Sequence, residues 1–238
     1  MADLQMLLAC GAEGGTQRQQ RSRMVRILKW FGVAVVVAVM GLCLAASTQP
    51  DTYLVERKVK MLAAPADVFP YVNDFDRWAV WNPWAKKDPT MKTANSTPTF
   101  GVGAWTTWEG NADVGSGRMS IVESVPGVRV VQELIFREPF EDKGRITFSL
   151  ASAGEGTALA WTMEGGVNFF GKLMCLFSSM DAMIGPDFEQ GLASLKPLAE
   201  ADAAARIDAE KVASEAAAAA AVPAEGATAP VATPSPSP

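Results

Sequence analysis

The chain has 238 residues, of which 49% are hydrophobic and 20% charged, and it contains three cysteines and no histidine. This length allows one domain with extensions. The absence of histidine excludes catalysis by an imidazole base, Ser-His or Cys-His pairs, and histidine-ligated zinc. The formal charge is +3 over residues 1–50 and −4 over both 51–198 and 199–238. An acidic middle segment offers no basic surface for nucleic acid, so we expect no nucleic-acid partner.

An uncharged run extends from Trp30 to Ala46 near the N-terminus. As a helix it would span about 26 Å, close to the thickness of a bilayer core. We therefore predict a transmembrane anchor over residues 24–48 that contacts the membrane through residues 27–47. Five basic residues precede the run and three follow it at a similar distance. This bias predicts a single pass through the inner (cytoplasmic) membrane, a cytoplasmic N-terminus and a periplasmic or otherwise extracytoplasmic domain.

Two other interpretations of this segment stay open. It could be a signal peptide cleaved near Ala45-Ala46-Ser47, which would release a secreted domain, or a buried core helix. Residues 1–23 have no periodic apolar pattern, which predicts a disordered N-terminal extension. Met24 begins a compact basic-then-apolar anchor and is an alternative start of translation.

The segment 51–198 alternates between extended and helical patterns. Tyr53 to Leu62 reads as a first strand, and short helices follow from Ala64-Pro65 and from Asn73. Turn residues then separate six extended segments near 91–97, 103–109, 115–124, 128–136, 144–152 and 156–164. Their spacing predicts an antiparallel meander.

A long helix is expected to follow the meander. Asn168 is placed to cap it, apolar residues recur at steps of three and four as far as Leu195, and Gly185-Pro186 should kink it. Residues 199–238 are rich in alanine and then in proline, which predicts a low-complexity, mobile tail. An alanine-rich helix could persist to about Ala221.

This order of elements predicts an α+β fold. A curved antiparallel sheet of about seven strands would wrap the long C-terminal helix and leave a cavity between them, and one transmembrane helix would precede the sheet.

Several short motifs follow one another over residues 51–198. They are Ala64-Pro65-Ala66-Asp67-Val68-Phe69, Trp78-Ala79-Val80-Trp81-Asn82-Pro83-Trp84, Gly101-Val102-Gly103-Ala104, Trp108-Glu109-Gly110-Asn111, Val114-Gly115-Ser116-Gly117, Gly156-Thr157 with Trp161, and Asp187-Phe188-Glu189-Gln190-Gly191-Leu192. As a series they resemble the SRPBCC superfamily, and within it the polyketide-cyclase/dehydrase and lipid-transport-like branch. The resemblance implies the helix-grip fold and a hydrophobic ligand cavity, shared with birch-pollen-allergen-like and steroidogenic lipid-transfer (START) domains. It implies no single activity.

The candidate ligand-binding residues are large apolar side chains expected to line the cavity. They are Trp81, Trp84, Trp108, Phe148, Trp161, Phe177 and Met180. The tryptophans are dense around Pro83, Phe148 and Trp161 lie on strand faces expected to look inward, and the helix adds an adaptable thioether. Ordinary core packing is the alternative for each of them.

The sequence selects no catalytic residue, metal ligand or cofactor. Gly101-Val102-Gly103 and Gly115-Ser116-Gly117 lack the residues of a nucleotide loop and predict turns or bulges instead. We therefore expect a membrane-anchored domain that binds or transports a hydrophobic small molecule or lipid without catalysis. The alternatives are a cyclase/dehydrase-type enzyme acting on a polyketide-like substrate, and an envelope protein-interaction module whose protein partner the sequence does not identify.

Overall fold

The computed structural model describes residues 2–138 and 141–220, and within these the side chains of 23–138 and 141–218. Six helices and seven strands occur in the described part of the chain. In order they are α1 Ala2–Ser47, β1 Thr52–Met61, α2 Pro65–Asn73, α3 Phe75–Trp81, α4 Trp84–Lys87, β2 Lys92–Asn95, β3 Trp105–Glu109, β4 Ser116–Val125, β5 Arg129–Glu138, β6 Asp142–Ala153, β7 Gly156–Gly166, α5 Phe169–Cys175 and α6 Met180–Ala220.

The seven strands form one sheet in the order β1-β7-β6-β5-β4-β3-β2. The register of each consecutive pair from β2 to β6 is antiparallel. The α+β helix-grip fold, with a curved sheet and a long C-terminal helix, is confirmed. Every extended segment expected from the turn residues is a strand, because glycine and proline end extended runs wherever the chain must reverse.

The chain divides into two compact units. Among the described residues, the first combines 2–55 with 164–185, and the second combines 56–138 and 141–163 with 186–220. The first unit therefore contains α1, the ends of β1 and β7, α5 and the first residues of α6. The second contains most of the sheet, α2 to α4 and the remainder of α6.

Glycines create the turns that curve the second unit's sheet. Gly101, Gly103 and Gly115 have φ values of 79°, 92° and 66°, which side chains with a Cβ rarely adopt. The register between β4 and β5 shifts at Ser116/Gly117. These glycines therefore belong to turns and a sheet irregularity, as the sequence predicts.

Helix α1 differs from the prediction of a disordered extension over 1–23, because its backbone is helical from Ala2. Extending an existing helix adds one hydrogen bond for each residue that is fixed, so the apolar segment serves as a nucleus for the residues before it. From Arg23 to Ser47 the helix is long and apolar enough to cross a membrane. By length and composition this segment is compatible with a single-pass anchor or a signal sequence.

The single helix predicted from Asn168 is instead two helices. Asn168 does cap α5, with its side chain accepting a hydrogen bond from the Gly171 N–H at 2.7 Å. Helix α5 ends at Cys175, and α6 begins at Met180, where Ser179 Oγ accepts from the Ala182 N–H at 3.1 Å. A serine in this position satisfies free N–H groups of a new first turn, so it starts a helix rather than continuing one.

Helix α6 reaches Ala220, in agreement with the predicted alanine-rich extension. Residues 200–203 of this helix are packed rather than mobile. Glu200 accepts from the Leu62 N–H at 2.7 Å, and Asp202 accepts from the Tyr71 hydroxyl at 2.8 Å. Ala203 is buried. The prediction of a mobile tail from residue 200 is therefore wrong for this stretch, and the remainder of the predicted tail, 221–238, lies outside the described residues.

Candidate functional site

The buried face of the second unit's sheet, here called the interior face, carries the candidate site. Cross-strand pairs place Met119, Leu134 and Gly144 in one row, and Ile121, Gln132 and Ile146 in the next. Alternation along the strands adds two sets of buried side chains. On β6 they are Ile146, Phe148 and Leu150, and on β7 they are Leu159, Trp161 and Met163. The inward direction predicted for these two sets is confirmed by their burial.

An aromatic cluster occupies one end of the interior face. Its members are Trp78, Trp81, Trp84, Phe148, Trp161 and Phe188. Phe188 of α6 stacks on Trp161 with ring centroids 3.9 Å apart, while Trp81 meets Trp161 edge-on at 5.4 Å. Such offset and edge-to-face contacts between large rings add to the stabilisation from burial alone. The cluster joins α3, α4, the sheet and α6.

Three predicted site residues in this cluster are completely covered by protein. Trp81, Phe148 and Trp161 have 0% of their surface exposed. The Trp81 indole N–H donates to the Tyr71 carbonyl at 3.0 Å, which also fixes its orientation. In this conformation the three rings pack as core, so contact with a ligand would require some of these rings to move.

Trp84 is the half-buried ring of the cluster. It begins α4, a single helical turn that the sequence analysis did not predict. The Asn82 side-chain oxygen accepts a hydrogen bond from the Trp84 N–H at 2.9 Å at the start of this turn. Lys87 pairs with the buried Asp187 at 2.7 Å and thereby attaches α4 to α6. The Asn82-Pro83 pair, with an amide oxygen free to accept and a fixed proline φ, is the sequence signal that would have revealed this turn.

Trp108 lies at the other end of the interior face. Trp108, Gly117 and Phe136 form one cross-strand row, and the Trp108 and Phe136 rings meet edge-on at 5.7 Å. Both rings are half-buried. A Cβ on Gly117 would come within 2.5 Å of the Trp108 indole, so the ring lies directly over this glycine. This end of the face is thus apolar and partly open.

Two buried polar atoms of the interior face lack a hydrogen-bond partner among the described residues. They are the side-chain carbonyl oxygen of Gln132 and the indole N–H of Trp161. Gln132 uses its amide nitrogen to donate to the Val72 carbonyl at 3.2 Å, which leaves its oxygen unsatisfied. A buried acceptor without a partner costs about 1–3 kcal/mol, so such groups call for an explanation. The sequence analysis did not single out Gln132, although its place between Val131 and Leu134 marks a polar residue in an apolar strand.

Phe177 and Met180 belong to the first unit. Phe177 lies in the turn between α5 and α6 with 79% of its surface exposed, and Met180 begins α6 half-buried. The prediction that Phe177 sits on a continuous helix is wrong, because Ser179 starts a new helix after it. Their role in ligand binding stays a prediction.

Five carboxylates on or near the strands could in principle serve as an acid or base, but they occupy solvated positions. Glu109, Asp113, Glu133 and Glu164 are exposed, and Glu123 is half-buried and paired with Arg129.

Asp88 is buried instead, and the Thr90 hydroxyl and the Asn111 N–H hold its pKa below the ordinary value. It accepts from the Asn111 N–H at 2.7 Å and so joins two loops. Among the described residues, no three His, Cys, Asp or Glu side chains converge as metal ligands would.

Comparison with known families settles the relationship of the chain. The family described as "Polyketide cyclase / dehydrase and lipid transport" matches residues 53–200. The chain belongs to this family. The predicted membership of the SRPBCC superfamily is thereby confirmed, and the polyketide cyclase / dehydrase and lipid transport family fits a fold that binds hydrophobic ligands.

Solved structures that the chain resembles share little sequence with this family member. Protein CV1439 from Chromobacterium violaceum is 20% identical, with a TM-score of 0.45 over 63% of this chain and 99% of its own. The hypothetical protein jhp0584 from Helicobacter pylori is 11% identical, with a TM-score of 0.49 over 62% and 88%. The Aha1 dimer from Colwellia psychrerythraea is 16% identical, with a TM-score of 0.45 over 62% and 96%. A search of curated proteins found no match.

Proposed function

We propose that this protein is a membrane-anchored domain that binds a hydrophobic small molecule or lipid, without catalysis, between the interior face and α6. The observation that carries the proposal is the composition of that face. Its described side chains are aliphatic, aromatic or thioether groups, with three polar exceptions. These are Gln132 with its unsatisfied oxygen, Thr106 on β3, and Thr157 on β7, whose hydroxyl donates to the Ala63 carbonyl at 2.7 Å. Ligand sites of this kind combine an apolar lining with a few polar groups that fix orientation.

The half-open end of the interior face is the proposed entrance. Trp108 and Phe136 lie there. On β5, Leu134 lies two residues before Phe136, and Gln132 lies two residues before Leu134. Since a strand rises about 3.3 Å per residue, Gln132 is roughly 13 Å from the entrance. Trp108 covers Gly117, and Gly144 leaves the row of Met119 and Leu134 without a third bulky side chain. An elongated ligand entering here would bring a hydroxyl or other donor to the Gln132 oxygen.

The aromatic cluster forms the proposed inner wall of the site. Trp84 is its adjustable member, because α4 is a single turn and the ring is already half-exposed. Displacement of Trp84 would uncover Trp81, Phe148 and Trp161 for a longer ligand.

The energetics of such binding need no catalytic group. Burial of hydrocarbon contributes about 0.8 kcal/mol per methylene, so ten methylenes contribute roughly 8 kcal/mol before the costs of association. This is sufficient to hold a lipid chain, which supports a binding or transport role.

Helix α1 supports the membrane part of the proposal. Its segment Arg23–Ser47 would span the inner membrane once, with the N-terminus in the cytoplasm and the domain on the other side, as the basic residues before it favour. Cleavage of the segment would instead yield a secreted domain.

A cyclase/dehydrase-type reaction on a polyketide-like substrate is the second candidate, since the family description includes it. It would require a group that moves a proton near the bound substrate. Turnover of a polyketide-like substrate that falls when one carboxylate is substituted would favour it over simple binding.

Titration of the full chain with cis-parinaryl alcohol, a fluorescent polyene alcohol whose hydroxyl can donate to the Gln132 oxygen, tests the binding proposal. We expect saturable fluorescence enhancement, and Gln132→Met should weaken the affinity about fivefold to tenfold because the interior acceptor is lost. Glu133→Gln, on the exposed face of the same strand, is the matched control and should leave the affinity unchanged. Equal affinity of all three proteins would contradict the assignment of Gln132, and no saturable signal would contradict binding.

A further inference from the structure

Exposed apolar side chains concentrate on α5, on the turn that follows it and on the first turn of α6. They are Phe169, Phe170, Met174, Phe177 and Met183. Between residues 165 and 180 the only charged side chain is Lys172. A patch of this composition on a protein surface marks a contact with another apolar phase or partner.

Helix α5 lies against α1, with Cα atoms of the two helices within 8 Å of each other. Asp51, in the segment directly after α1, also contacts α5 and the residue before its cap. Lys172 of α5 pairs with Asp51, and the Val167 N–H donates to the Asp51 carbonyl at 2.8 Å. Asp51 is only four residues beyond Ser47, the end of the apolar segment, and four residues span at most about 14 Å.

The part of α1 that α5 contacts follows from these lengths. At about 1.5 Å per residue, residue 22 is roughly 38 Å from Ser47 along α1, whereas α5 itself is about 10 Å long. A helix attached at Asp51 therefore reaches the C-terminal end of Arg23–Ser47 and not the residues before it. Ala46, in the last turn of this segment, is buried.

We infer that the patch formed by Phe169, Phe170, Met174, Phe177 and Met183 inserts into the lipid surface around the exit of α1. Aromatic and other apolar side chains beside a membrane-spanning helix gain free energy at the boundary between headgroups and acyl chains. The occupant is the bilayer itself, because the span ends within a few residues of the chain that holds α5. The inference rests on the proposed membrane anchoring but not on ligand binding.

Photo-crosslinking of the full chain in phospholipid nanodiscs tests this contact. p-Benzoylphenylalanine replaces one exposed residue at a time: Phe177 or Phe169 in the patch, Val36 in α1, and Val128 in the second unit as an exposed apolar control. Lipid adducts are measured by mass spectrometry of the intact protein. We expect the yields at Phe177 and Phe169 to approach that at Val36 and to exceed that at Val128 at least tenfold.

The outcomes separate the inference from the anchoring. Adducts at Val36 with only the Val128 yield at Phe177 and Phe169 would overturn lipid contact by the patch while anchoring stands. Failure at Val36 as well would overturn both. Crosslinks from Phe177 to a protein instead of lipid would overturn the inference in favour of a protein partner.

Discussion

Trp108 and Gly117 show how a single small residue positions a ring of the proposed entrance. The indole occupies the space above Gly117, where a Cβ would approach both the ring and the Ile135 carbonyl at 2.5 Å. The sequence predicts glycine turns and bulges in this region but not this contact, because which strand lies opposite a glycine depends on register. Trp108 lies on the interior face, and its role as a ligand contact stays a prediction. Its support by Gly117 is visible only in three dimensions.

Gly117→Ala tests this arrangement. We expect the added methyl to displace the Trp108 ring and to destabilise the fold by about 1–3 kcal/mol, as overpacking does. The measurement is the urea unfolding midpoint. Gly154→Ala serves as control, because its methyl would meet no atom within 4 Å and any loss there reflects backbone strain at φ 65° alone. A loss at Gly117 no larger than that at Gly154 would show that the close approach is unimportant.

Gln132 marks where sequence reasoning at the residue scale was insufficient. A polar residue in an apolar strand can point to either face, and alternation alone does not reveal which of its atoms find partners. The pairing of Gln132 with Ile146 on a buried row settles the direction, and the bond to the Val72 carbonyl shows which end is satisfied.

The middle of α6 is attached to α2 by charged side chains. Arg206 bonds both oxygens of Asp67, at 2.8 and 3.1 Å, and Asp202 accepts from Tyr71. The alanine-rich composition after Pro197 predicted the helix but not its packing, because pairing partners 139 residues apart leave no local signal. The missed break at Ser179 has a different cause, because one local capping serine outweighs an apolar pattern that continues on both sides.

Stability should depend on pH through the Asp67–Arg206 pair. The Arg206 guanidinium holds the pKa of Asp67 below its ordinary value of 3.8. A lowered folded-state pKa contributes stability that is fully present above pH 3.8 and is lost as the pH falls through the lower folded-state value. Asp67→Asn should lower the urea midpoint at pH 7 and have progressively less effect below about pH 3.8.

A double-mutant cycle isolates this contribution. Arg206→Gln and the double variant should show coupling at pH 7, whereas Glu210→Gln, an exposed second partner of Arg206, should have little effect because exposed pairs contribute little. Additive effects of Asp67→Asn and Arg206→Gln, or a pH-independent difference, would show that the pair does not hold α6 to α2.

At the scale of the whole molecule, the sequence was sufficient for the fold and the family. Strand spacing, turn residues and the series of motifs predicted the seven-stranded sheet, and the family match over residues 53–200 confirms the relationship. The interior could not be predicted in the same way. Whether dense tryptophans line a space or fill it depends on how the rings meet, and here Trp78, Trp81 and Trp161 interlock edge-to-face.

The central claim is that the interior face accepts an apolar ligand. Native mass spectrometry of the full chain, released from nanodiscs made of its own membrane lipids, tests it most directly. The account predicts a retained apolar adduct that is lost in Met119→Trp, whose larger side chain would fill the interior face, and kept in Glu133→Gln. Circular dichroism would verify that Met119→Trp is folded. A wild-type chain without an adduct, or one retained equally by folded Met119→Trp, would contradict the claim.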